Sequence, residues 1–317
     1  MSVYPIKPFD LSKVRTYPLR DRPSKVCYSS FARTFHKGGS FLDFLASLPE
    51  ILAGADLRAL ITALAEAKSH GRAILWGLGG HVIKVGLGPT LIDLMTHGFV
   101  SGLAINGSAM IHDFEIALVG ATSEDVEAEL GHGRFGMAEE TGRFINEAIN
   151  AGFLQGLGLG ESVGRFLASL KPEFADYSLL AQAYRLGIPV TVHLAIGTDI
   201  INNHPTTNGA ALGEGSHIDF RLFSTLVEEI HNGGVYLNVG SAVVLPEVFL
   251  KAVTLVRNAG ASLERFTTVN LDFVQHYRPT QNVVKRPTKN SGQGLALTGH
   301  HEILIPLIAA ALIEKCH

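Results

Sequence analysis

The chain has 317 residues, 46% hydrophobic and 17% charged, and a net charge of −3 with acids and bases interspersed. Such a composition supports a large buried core and excludes an extended basic face for nucleic acid; Lys285-Arg286 with Lys289 is too short a run to make one. Two cysteines near opposite ends, Cys27 and Cys316, offer neither a metal-ligand spacing nor a disulfide framework, which points to a reducing cytoplasm. The longest apolar run, Leu304 to Ile313, is too short for a bilayer, and residues 1–20 lack the apolar core of a signal peptide, so neither a membrane nor secretion is expected.

In chain order, residues 1–39 show little periodicity and are expected to form an N-terminal arm. Ser40 starts a helix running to Glu50, and a second amphipathic helix covers Ala55 to Ser69. Strands are predicted at Ala73–Trp76, Val100–Ile105, Pro189–Ala195, Val235–Val239 and Arg265–Phe273. Between and after them the pattern turns helical at Pro89–His97, Ser123–Leu130, Met137–Ala151, Gly160–Leu170, Tyr177–Leu186, Ile218–His231, Pro246–Asn258 and His300–Lys315. Single strands separated by helices imply a doubly wound parallel α/β sheet in one large domain, 40–317, with a helical insert at 111–187.

Two strand–turn–helix units share a grammar that suits a nucleotide between two half-sheets. One runs Ala73-Ile74-Leu75-Trp76-Gly77-Leu78-Gly79-Gly80-His81, with Pro89 beyond; the other runs Val235-Tyr236-Leu237-Asn238-Val239-Gly240-Ser241-Ala242, with Pro246 beyond. Neither is a full G-x-G-x-x-G, and Gly158 to Gly164, which has that look, follows a helix and reads as a helix-to-helix loop.

Ligands of such sheets gather at the carboxyl ends of the strands. The residues that follow each strand are therefore the candidates: Gly79, Gly80, His81 and Lys84; Asn106, Gly107, Ser108, His112, Asp113 and Glu115; His193, Thr198, Asp199 and His204; Gly240, Ser241, Ala242 and Glu247; and Asp272, Arg278 and Lys285. His112 or Asp113 reads equally well as a helix cap. His193, Asp199, His204, His300, His301 and Glu302 could serve a metal-dependent hydrolase, but no H-x-H or H-E-x-x-H spacing supports a metal. A dinucleotide-binding protein without chemistry is the third reading.

Ordered segments over about 70–315 resemble the deoxyhypusine synthase family. Gly77 to Gly86 sits where that family has an NAD-touching glycine loop, and Asn106-Gly107-Ser108-Ala109 with His112-Asp113 where it has Thr–Thr–x–Gly–Gly and two acids. Ile188-Pro189-Val190, Thr198-Asp199, Ser216-His217-Ile218-Asp219, Gly240-Ser241-Ala242-Val243-Val244 and Arg278-Pro279 match further family segments. Three segments depart. Leu245-Pro246-Glu247 replaces a Lys–His–His, Asp272 to His276 replaces a loop near NAD, and equal spacing puts Pro287 at the reactive lysine, with Lys285 two residues before it and Lys289 two after.

The resemblance implies an NAD-binding fold, a homotetramer, and amine oxidation or aminoalkyl transfer on a polyamine-like substrate by an enzyme that is not a true deoxyhypusine synthase. On that reading Gly79, Gly80, His81, Asn106, Gly107, Ser108, Asp113, Thr198, Asp199, Gly240, Ser241 and Ala242 contact NAD. Asp219, Glu247 and Glu302 hold the cationic amine; His193, His300 or His301 accepts a proton; and Lys285 is the candidate nucleophile, with Lys84 and Lys289 in reserve.

Overall fold

The computed structural model describes residues 3–316; Met1 and Ser2 of the expected arm, and His317, lie outside the described residues. Six strands form one parallel sheet: β1 (Ile74–Leu78), β2 (Gly102–Asn106), β3 (Val190–His193), β4 (Val235–Val239), β5 (Thr267–Asp272) and β6 (Gln293–Thr298). Their spatial order is β3-β2-β1-β4-β5-β6, so the winding reverses between β1 and β4. This is the doubly wound arrangement expected from the alternation of single strands with helices.

The helices are α1 (Phe41–Ser47), α2 (Leu52–Ser69), α3 (Gly80–Lys84), α4 (Gly88–Thr96), α5 (Gly107–Val119), α6 (Val126–Leu130), α7 (Glu139–Phe153), α8 (Leu159–Leu170), α9 (Leu179–Leu186), α10 (Gly209–Glu228), α11 (Val244–Asn258) and α12 (His301–Cys316). Between β5 and β6 the chain makes a helical turn at Tyr277–Pro279 and a π-helical segment at Thr280–Lys285. Ser40 opens α1 through a capping box, its hydroxyl accepting from the Asp43 N–H while the Asp43 carboxylate accepts from the Ser40 N–H. Residues 3–39 carry three short 3-10 turns and are almost wholly exposed.

Helices cover both faces, which is why β1 and β4 are buried along their whole length. On one face Phe223 of α10 and Phe249 of α11 enclose Tyr236, whose ring stacks on Phe249 at 3.9 Å. The Tyr236 hydroxyl fills the space a side chain at Gly77 would need, so the central strand carries glycine there. On the other face α2, α4, α5 and α12 pack a larger core around Trp76, whose indole N–H donates to the Phe99 carbonyl at 3.0 Å. No helix among the described residues is long and apolar enough to cross a membrane.

Four elements differ from the expectation: α3 stands where a turn is expected after β1, α10 begins at Gly209 and not at Ile218, and β6 and the start of α5 are the other two. The segment Gln293–Thr298 forms the edge strand β6, with Leu295 and Leu297 buried and alternate positions open. Its Gly294 is required because the Val284 carbonyl occupies the place of a Cβ. Helix α5 begins directly at the end of β2, capped by Asn106, whose side-chain oxygen accepts from the Ala109 N–H at 2.9 Å. The segment Asn106–Ala109, turn-like in composition, is therefore the cap and first turn of a helix.

Candidate functional site

The turns after β1 and β4 meet at the point where the strand order reverses. Gly79 donates its N–H to the Val239 carbonyl at 2.9 Å, and Gly240 donates to the Leu271 carbonyl at 3.1 Å. A Cβ on Gly79 would fall on the Gly240 carbonyl, one on Gly80 would fall on the Ser108 hydroxyl, and one on Gly107 would fall on the Asp199 carboxylate. These glycines thus bring the loops against one another; the room left by their missing side chains is filled by protein. Gly240 has φ +66, and its Cβ would lie 2.8 Å from the His301 ring.

Behind the second turn stands the 15-residue helix α11, with no side chain capping it through its N-cap residue, Val243. Of its early amides the Leu245 N–H is met, by the Ser241 hydroxyl at 3.2 Å. Small turn residues beside the remaining free amides of a helix start are the groups that can accept a dinucleotide phosphate, so the residue types at the switch point are compatible with NAD. Gly79, Gly80, His81, Gly240, Ser241 and Ala242 all sit here.

Beside the switch point a cavity of about 280 Å³ opens at the carboxyl end of β2. Lys84, Ser108, His112, Glu115, Thr198 and Asp199 contribute its polar wall, and Glu124 before α6 and Phe135 before α7 close it. Burial pushes the Asp199 carboxyl up to about 6, against a hydrogen bond from the Ala195 backbone. Thr198 is exposed and donates its hydroxyl to the Ala195 carbonyl at 2.8 Å. The His112 Nδ1 lies 2.7 Å from the Thr122 hydroxyl, which donates to Glu115 at 2.5 Å. A second hydroxyl, from Thr141, donates to the other Glu115 oxygen at 3.0 Å. Burial, and next the Lys84 charge, hold the His112 pKa below its usual value, with Glu115 opposing.

On the far side of the switch point a ring cluster forms. His81 lies 5.6 Å from His301 and 5.9 Å from Phe273, and Phe273 stacks on His300 at 6.2 Å. His301 is fully buried, its Nε2 3.2 Å from the Leu271 carbonyl and 3.8 Å from the Asp272 carboxylate. Burial lowers its pKa, with Leu271 and Asp272 opposing. Glu302, at the start of α12, lies 3.7 Å from the Nδ1 of exposed His300.

Several expected site residues are used elsewhere. His193 is buried against Phe223 at 5.4 Å, and burial takes its pKa down to about 3, so it cannot serve as a proton acceptor for a ligand. Asp113 is buried and spent on the start of α9, accepting from the Ser178 hydroxyl at 2.6 Å and the Leu179 N–H at 2.7 Å. Burial still pushes it up to about 6. Asp219 is 1% exposed and accepts from the Val192 N–H at 2.7 Å and the Gly160 N–H at 3.0 Å, tying α8 to β3 rather than holding an amine. Glu247 is paired on the surface with Lys251, Arg278 at 3.3 Å and Asn282 at 2.8 Å.

Lys285 lies at the wrong end of the sheet. The helical segment after β5 runs back toward the strand starts, where the Val283 carbonyl accepts from the hydroxyl of Thr268 and Val284 packs on Gly294. Lys285, exposed beyond it, is separated from the carboxyl ends by most of the length of β5, on the order of 13 Å at 3.3 Å per residue. The structure instead places Lys84 in the cavity. His204 pairs with Glu139 at 3.2 Å, away from His300 and His301, and the described residues gather no group of three or more His, Cys, Asp or Glu able to hold a metal. The hydrolase reading therefore has no assembled ligand set.

In the sequence, His112 and Glu115 stand out only by their position after β2. Thr122, three residues past the end of α5, gave no signal, because only the fold brings it to His112.

No family model matches this chain, and no curated protein does. Solved structures do match. A conserved candidate LOR/SDH protein from Methanococcus maripaludis S2 is similar at 16% identity and a TM-score of 0.54, over 84% of this chain and 71% of that one. AgrE, solved as a ternary complex with ornithine and NAD+, is similar at 14% identity and a TM-score of 0.55; the match takes in 84% of this chain but only 34% of AgrE. A candidate deoxyhypusine synthase from Entamoeba histolytica is similar at 14% identity and a TM-score of 0.52, over 89% and 96% of the two chains. At these identities the likeness is one of fold: a doubly wound, deoxyhypusine synthase-like α/β sheet.

Proposed function

We propose that this protein is an NAD-dependent enzyme that oxidises a small amine or amino acid. The observation that carries the reading is the reversal of strand order between β1 and β4, where two small-residue turns meet in front of α11, whose N-cap Val243 offers its amides no side-chain acceptor. AgrE, of the same fold, binds NAD+ and ornithine together, which supports the pairing of cofactor and amine. The turns 79–81 and 240–242 and the first turn of α11 would hold the cofactor, and the bound nicotinamide would supply the hydride acceptor.

The substrate belongs in the adjoining cavity. Asp199, Glu115 and Glu124 line it with carboxylates that suit an ammonium group, and Lys84 adds one cation that suits a carboxylate. A small amine that also carries an acid matches both. Before its carbon can lose hydride, the substrate nitrogen must surrender a proton to a base.

Thermal-shift measurements with NAD test the cofactor, because a ligand that binds only the native state raises Tm with occupancy. A panel of diamines and basic amino acids, read by NADH absorbance and product mass, tests the reaction. Millimolar NAD leaving Tm unchanged would overturn the reading. We propose further that the enzyme is a homo-oligomer, a tetramer by the resemblance, joined in part through the exposed apolar side chains of the N-terminal arm.

A further inference from the structure

We propose that His112 is the catalytic proton acceptor of the cavity beside the switch point, held in the required tautomer by Thr122 and Glu115. The identity of its substrate, a protonated small amine, rests on the reading above; the state of the imidazole does not.

The argument is one of hydrogen-bond direction. Thr122 has a single hydroxyl hydrogen, and at 2.5 Å it is committed to Glu115, which as a carboxylate can only accept. The His112 Nδ1, 2.7 Å from the same oxygen, must therefore donate its own hydrogen. In a neutral ring that leaves Nε2 without a proton, its lone pair available. Burial chiefly, and Lys84 to a lesser degree, favour the neutral ring against the opposing charge of Glu115. Nε2 has no hydrogen-bond partner among the described residues, and the ring forms part of the cavity wall, with its Cδ2 3.3 Å from where a Cβ on Gly80 would stand.

A histidine kept only for packing has no need of such an arrangement. Here one nitrogen is fixed by a three-member chain, and Glu115 is itself steadied by Thr141. The charged and titratable groups around the ring are Glu115 on its own helix, Lys84 at the end of α3, and Asp199 and Glu124 from the facing loops. The step is a simple transfer: a proton leaves the substrate ammonium for Nε2, the nitrogen lone pair is freed, and the resulting imidazolium is stabilised through Thr122 by Glu115, whose carboxylate lies 3.9 Å from Nδ1. Thr122 and Glu115 act as positioning residues. They are to this imidazole what an orienting carboxylate is to any catalytic histidine.

The test is the imidazole nitrogen spectrum of the whole protein labelled with ¹⁵N, the His112 signals being assigned by their loss in His112→Gln. In the free protein at pH 8, Nδ1 is expected to be protonated and Nε2 bare. Adding L-lysine or 1,4-diaminobutane at millimolar concentration is expected to move the Nε2 signal. Thr122→Val, with Tm retained, is expected to lose the single-tautomer signature. A proton on Nε2 in the free protein overturns the proposal, as does an Nε2 signal that neither probe moves. An unchanged spectrum in folded Thr122→Val removes the positioning role. If these expectations hold while NAD leaves Tm unmoved, the oxidation reading fails and the proton acceptor stands.

Discussion

Burial holds the carboxyls of Asp113, Asp199 and Asp219 above the usual aspartate range. Asp219 shows the rule most plainly: its carboxyl is pushed up to about 7 by burial, although the Val192 and Gly160 N–H groups pull it down. In the unfolded chain an aspartate titrates near 3.9. Between about pH 4 and pH 7 the folded state therefore holds the extra proton, and this side chain's contribution to stability falls as pH rises. Asp219→Asn, which cannot titrate, is expected to gain on the native protein across that window, by up to about 1.4 kcal/mol per pH unit. Urea denaturation of both proteins at pH 4.5, 6 and 7.5 checks the sign; a constant difference would refute the assignment. His193 acts oppositely, since its depressed pKa costs stability below about pH 6.5, and comparing variant with parent cancels that term. For Lys285 no change is expected. Lys285→Ala should keep NAD binding and turnover, and its stability should stay within about 0.5 kcal/mol, because the side chain is exposed at the strand starts. Loss of activity with an intact fold would return the lysine to the site.

At the scale of the elements, the turn after β4 carries the sharpest expectation. Gly240 combines φ +66 with the His301 ring 2.8 Å from its would-be Cβ. Gly240→Ala is expected to cost about 1–3 kcal/mol from backbone strain and displacement of His301, and to abolish the NAD thermal shift. Chemical denaturation reads the first effect and ligand-induced Tm the second. The elements that sequence made legible were the ones with a strong internal period or an apolar run, such as β1, β4 and α11. The residues after β2 were harder, because Asn106-Gly107-Ser108 has turn composition while its asparagine serves as a helix cap. Edge strand β6 was missed for a related reason. Half of it faces outward, and Gly294 and exposed Ala296 carry no strand signal, the glycine because its small size answers to a tertiary contact with Val284. In the site, glycine spacing located the switch point, but the pairing of His112 with Thr122, and the loss of Asp113 and Asp219 to helix starts, depend on contacts far apart in the chain.

Across the whole molecule, the arm is out of keeping with the rest. Val3, Tyr4, Ile6, Phe9, Leu11 and Tyr17 are more than half exposed, in a segment with no core of its own. If the arm joins copies of the chain, removing residues 1–39 should lower the mass measured by light scattering behind size exclusion, while the remaining sheet keeps its cooperative melt. An unchanged mass would place the contact elsewhere.

The meeting of Gly79 with Gly240 has a mechanical consequence. It sits where the half-sheet of β1, β2 and β3 adjoins the half-sheet of β4, β5 and β6, and the two backbones touch with no room for even a methyl group between them. A wedge-like opening of the halves would have to break the Gly79–Val239 hydrogen bond together with the β1–β4 ladder that it extends, so the crevice behaves as a weld and not as a hinge. Any traffic into the cavity then falls to its outer wall, the stretch from Ser123 to Phe135 and the loop at Thr198–Ile200, most of which is exposed. Hydrogen exchange should reflect this division, with slow amides at Gly79 and Gly240 and fast ones along 121–135 that slow down when a ligand seals the wall.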